Sequence, residues 1–270
     1  MLSTHLASVR AKIDRADDYF KQIDSAIKGF LSAELEAHQS PIPRYKKAEG
    51  HQLAITTPVT KPLDPLLPLI VGDCIHNLRS ALDHLAFQLA VMNNAGTEAE
   101  RKIAFPICED GSDFKKFARH KVKPFVGKEA FAALQELQPY ETVNPSKDAV
   151  LWVLSELDNI DKHRLLILAE PQIRAERFAV DGPGGKRFEH QLPKPIWKPF
   201  KGDTEVIRFD FSTAFDRPGK VAVKVNASIM VQLRDTGLIC DGKDLAETLK
   251  DMRRVVRHVV DDFGKRFFGD

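Results

Sequence analysis

Residues 72–92, Gly72-Asp73-Cys74-Ile75-His76-Asn77-Leu78-Arg79-Ser80-Ala81-Leu82-Asp83-His84-Leu85-Ala86-Phe87-Gln88-Leu89-Ala90-Val91-Met92, sort onto two faces of one helix. At ~100° per residue, Cys74, Ile75, Leu78, Ala81, Leu82, Leu85, Leu89 and Met92 gather on one side. Asp73, His76, Asn77, Ser80, Asp83, His84 and Gln88 gather on the other. His76, Ser80 and His84 stand at i, i+4 and i+8 in a nearly straight row, with Asp73 and Asn77 beside it. An ordinary solvent face would hold several Lys and Glu, and between 73 and 88 this one has neither. Short polar groups and two histidines suit a face turned into a cleft or an interface. Unpaired there, they would be costly unless other polar groups or a ligand met them. A dense polar cluster further along, Glu156, Asp158, Asn159, Asp161, Lys162, His163 and Arg164, is the natural partner.

The surrounding chain extends this helix into a bundle. Asp64-Pro65 reads as a helix start, and Asn93-Asn94-Ala95-Gly96 as its stop. Upstream, Leu6, Val9, Ile13, Ala16, Phe20, Ile23, Ile27 and Phe30 follow a heptad seam, with Ser3 as N-cap. That seam predicts a long helix lying along one partner, within the chain or in a second copy. Shorter helices are expected near Asp113–His120 and Lys128–Leu137, and a longer one from Lys147 to Lys162 on the stripe Val150, Leu151, Leu154, Leu157 and Ile160. After Arg164 the period falls to two. Ile207, Phe209 and Phe211 alternate with polar residues, as do Val221 to Leu233, which predicts a small antiparallel sheet. Asp181 to Gly185 reads as a turn between strands, and His51 to Thr57 as one further strand. Asp244 and Glu247, with the spacing of a capping box, open a last helix to Phe263.

The fold class expected is therefore α+β: a mainly helical bundle with a small antiparallel β-lobe inserted before the C-terminal helix. Its parts would be a long helix in 1–40, a bundle core in 41–165, the β-lobe in 166–238 and the returning helix in 239–270.

Composition narrows the function classes. With 270 residues, 40 basic and 38 acidic, the net charge of +2 leaves no broad basic surface of the kind that coats duplex DNA. Cys74, Cys108 and Cys240 are far apart and odd in number, which suggests neither a disulfide framework nor a zinc ribbon. No apolar run reaches membrane-spanning length, so no membrane partner is expected and the default location is the cytoplasm. No Rossmann fingerprint, nucleophile elbow or EF-hand loop appears, and Gly182 to Lys186 lacks phosphate-loop spacing. No cofactor is expected. Phe105-Pro106-Ile107 and Gln138-Pro139-Tyr140 read as structural turns, Trp197 among its prolines as a surface recognition element or a loop pin, and Arg253, Arg254, Arg257 and His258 as a solvated basic turn.

Three readings of the polar helix compete. In the first it is a satisfied network, with Asp73, His76 and Asn77 bonding locally and Arg79 pairing with Asp83 one turn on. In the second, His76, His84, His163 and Asp161 converge on a divalent ion, although no tight motif such as HExxH supports it. The third begins from Arg79-Ser80-Ala81-Leu82-Asp83-His84, which resembles the Rx4–6H signature of the HEPN superfamily. Members are helical, usually homodimeric, and many are metal-independent endoribonucleases in which two copies of the motif share one cleft.

That resemblance, over about residues 64–165, implies a homodimer acting on single-stranded RNA. His84 would be the general acid–base group at the ribose 2′-hydroxyl, Arg79 would stabilise phosphate charge, and Ser80 would position either. Asp73, His76, Asn77, Asp83, Asp161 and His163 would support them. Arg79 and His84 lie ~140° apart on the wheel, so they meet only if Arg79 curls over or a second subunit completes the site. The chain also resembles bacterial proteins of unknown function that carry HNLRSALDH-like and DKHR-like segments, here His76–His84 and Asp161–Arg164. The alternative from another class is a non-enzymatic dimerisation or binding protein in which this helix is a structural or interface network.

Overall fold

The computed structural model describes residues 4–37, 52–56, 63–168, 172–181, 187–199, 205–210, 222–234 and 236–270. Helices predominate, as the periodicity predicts. Helix α1 covers Ala7–Ala37, α2 Leu67–Met92, α3 Thr97–Lys102, α4 Gly111–Lys121, α5 Lys128–Glu136, α6 Pro139–Thr142, α7 Val150–His163 and α8 Leu245–Phe263. The chain divides into two compact units. Residues 1–24, 66–168 and 233–270 form the first, and 25–65 and 169–232 the second.

In the first unit the apolar face of α2 is the centre of the core. Cys74, Ile75, Leu78, Ala81, Leu82 and Leu85 are all fully buried, and α2 packs on α7 and α8. The start of the heptad seam is buried as well: Leu6, Val9, Ile13, Ala16 and Ile23 lie inside, whereas Phe20 is half-buried. Burial of this stripe, not helix propensity, supplies most of the stability of such helices. From α8, Arg253 and Arg257 both hold Asp17, and Arg253 lies 4.2 Å over the ring of Phe20. Half of the basic turn expected to be solvated is thus a clamp on α1. Arg10 likewise pairs with the Asp270 carboxylate.

Helix ends follow the cap chemistry, with local differences. Asp244 accepts the Glu247 N–H at 3.0 Å, and Asp110 accepts from Ser112 and Asp113 at 2.7 and 2.9 Å. Helix α2 starts after Leu66, without a side-chain cap, rather than at Asp64-Pro65. It ends in a Schellman closure: Asn94 takes a left-handed φ of 53°, its N–H reaching the Val91 carbonyl and the Ala95 N–H the Ala90 carbonyl. Helix α7 begins at Val150 rather than Lys147, because Ser146–Asp148 form a 3-10 turn. A short strand pair also belongs to this unit, β2 (Ile167–Leu168) antiparallel to β7 (Leu233–Arg234).

The second unit holds β1 (Gln52–Thr56), β3 (Gln172–Asp181), β4 (Arg187–Pro199), β5 (Glu205–Asp210) and β6 (Ala222–Met230). β3 is the middle strand between β4 and β6, antiparallel to both, and its register shifts between Ala175 and Arg177. β1 pairs antiparallel with β5, Leu53 opposite Phe209. Gln52–Thr56, expected within the bundle core of 41–165, falls in the second unit, since its backbone partners lie on β5. Trp197 stands within β4, opposite Arg174, and not in a loop. Ser3 and the turn at 182–185 lie outside the described residues. No helix among the described residues is long and apolar enough to cross a membrane.

Candidate functional site

The polar face of α2 meets two different neighbours. Toward its N-terminal end it meets α7. His76 Nδ1 lies 3.0 Å from Asp158 Oδ1, and Lys162 Nζ lies 2.5 Å from Asp158 Oδ2. Asp158 is only 2% exposed, so both its oxygens are paired, as a buried carboxylate requires. The imidazole itself remains 54% exposed. One turn back, α2 carries Gly72, and a Cβ there would fall on the Asp161 carboxyl group. Glycine is what lets that carboxylate rest on the α2 backbone. Burial raises the Asp161 pKa, and the charges of Asp158 and Asp73 push it the same way while His76 opposes them. The stretches of α2 and α7 that carry the HNLRSALDH-like and DKHR-like segments therefore meet, through His76 with Asp158 and Gly72 with Asp161.

Toward the C-terminal half, α2 grips the segment before α4. Arg79 Nη1 donates to Asp83 Oδ1 at 2.7 Å, and Nη2 donates to the Phe105 carbonyl at 3.0 Å. Asp83 Oδ1 also accepts the Phe105 backbone N–H at 2.9 Å. Phe105 is fully buried and Arg79 only 13% exposed. The same segment is fastened a second time. Buried Gln138 donates to the Pro106 and Leu134 carbonyls at 3.0 and 2.8 Å and accepts the Cys108 N–H at 3.0 Å. Both sequences read as structural turns are thus parts of one polar clasp.

The remaining candidates are scattered. His84 is half-buried; burial lowers its pKa, helped by the Lys12 ammonium on α1 and opposed by Asp83. Asn77 donates to its own helix at the Asp73 carbonyl, 2.8 Å away. Ser80 is half-buried, and Asp73 and His163 are exposed. Among the described residues no group of three or more His, Cys, Asp and Glu side chains could hold a metal ion. The cysteines are buried thiols; Cys74, on the core side of α2, bonds the Ala16 carbonyl at 3.4 Å, and burial pushes its pKa up to about 12.

Sequence reasoning placed Asp158 in the partner cluster but did not single it out. The signal was available: Asp158 lies seven residues after Leu151 and four after Leu154, on the buried stripe of α7. A carboxylate there must find partners. Gly72 and the Phe105 carbonyl carried no such signal. No protein family, curated protein or solved structure matches the chain.

Proposed function

We propose that this chain is a non-enzymatic binding or dimerisation protein in which the His76–His84 helix is a structural and interface network. The observation that supports this reading best is the commitment of Arg79. Both of its terminal nitrogens are spent on Asp83 and on the Phe105 carbonyl within the same chain. A guanidinium so occupied would have to give up a half-buried ion pair and a main-chain hydrogen bond before it could bind a phosphate. The α+β class, with an antiparallel β-lobe, and a homodimer in the cytoplasm are parts of the same proposal.

A second reading, the HEPN-like metal-independent endoribonuclease on single-stranded RNA, is favoured by His84. Its lowered pKa keeps the imidazole neutral near physiological pH, the form that accepts a proton from a ribose hydroxyl. The two readings separate in one experiment. Wild type, Arg79→Ala and His84→Ala are incubated with single-stranded RNA in EDTA, and their unfolding and sedimentation are followed in parallel. The binding reading predicts no cleavage by wild type and a large stability loss in Arg79→Ala. Cleavage by wild type, abolished in both variants while each stays folded, would overturn it.

A further inference from the structure

The α2–α7 crossing holds more acid than it neutralises. Asp158 is satisfied by His76 and Lys162, but Asp161 has no lysine or arginine paired with it among the described residues. The groups facing Asp161 are the Asp158 carboxylate on its own helix and, from α2, the Asp73 carboxylate and the His76 ring. Its carboxyl is seated where a side chain on Gly72 would otherwise stand, so the two helices cannot part from it without opening the crossing.

We propose that Asp161 is an acid-tightened latch between α2 and α7: protonated, it rests on the Gly72 backbone without opposing Asp73 and Asp158, and ionised, it pries the crossing apart. This rests on the described geometry and not on the binding reading, which could fail without it. The sign follows from linkage. The raised pKa means that the native state takes up a proton before the unfolded chain does. The stabilisation is thus complete below the ordinary carboxylate value of 3.8 and is lost as pH rises through the higher native value.

Thermal unfolding of wild type and Asp161→Asn between pH 4.5 and pH 8 tests it, the asparagine mimicking the protonated acid at every pH. The variant should melt above wild type at pH 8, and the gap should narrow by about 2 °C or more toward pH 4.5, since a protein of this size moves by a few degrees per kcal/mol. Parallel pH profiles would overturn the proposal. Should the variant fail to fold, the carboxyl carbon-13 shift of Asp161 in wild type decides. A midpoint above the ordinary range that falls when Asp73 is changed to Asn supports the latch, and an ordinary midpoint refutes it.

Discussion

At its N-terminal half the polar face of α2 meets α7 through a half-exposed imidazole, a buried carboxylate and an acid resting on glycine. Two turns later Asp83 on the same face, with Arg79 beside it, meets the segment around Phe105 through a mostly buried guanidinium and a half-exposed carboxylate. Both halves use short polar groups at helical spacing, yet their partners differ. The first half binds titratable side chains, whose pairing depends on protons and salt. The second binds backbone N–H and C=O groups, which do not themselves titrate. A polar stripe on a helix thus does not by itself announce an active site, because its meaning depends on whether it faces side chains or main chain.

That contrast is broken most severely at the clasp. Phe105→Ala empties the fully buried ring of the residue whose backbone Arg79 and Asp83 hold, and should cost about 3–5 kcal/mol in denaturant unfolding. A loss under about 1 kcal/mol would mean the segment is not anchored there. At the other end, His76→Ala removes a ring that is 54% exposed, and unfolding at neutral pH should change far less. Its effect has two parts, a weak ion pair worth ~1 kcal/mol at most and a second partner, Lys162, that keeps Asp158 paired. A loss as large as that of Phe105→Ala would erase the distinction between the halves.

Much of the helical unit was legible in the sequence because burial imposes a period. The stripe from Cys74 to Leu89 and the seam from Leu6 to Ile23 needed only a count of apolar spacings, and Asp110, Asp244 and Asn93-Asn94 mark helix ends by chemistry that acts within a few residues. The Arg79–Asp83 pair is local too, one turn apart. What spacing could not reveal was the third member of the clasp. The Phe105 carbonyl is 26 residues from Arg79 and belongs to the backbone, which every residue shares. Gly72 failed for a related reason: a glycine inside a helix signals a close approach without naming what approaches. The strand Gln52–Thr56 was recognised as a strand, but its partner at Glu205–Asp210 lies about 150 residues away, and pairing over that distance leaves no local trace.

Arg79 serves Asp83 and the main chain rather than a phosphate. A double-mutant cycle with Arg79→Ala, Asp83→Ala and the double variant, read by denaturant unfolding, measures that directly. Each single change should strand the other's partner, so the double variant should be more stable than the sum of the singles implies, with a coupling above about 1 kcal/mol. Additive losses, or single variants as stable as wild type, would show that the guanidinium is not held there and leave it free to bind a phosphate.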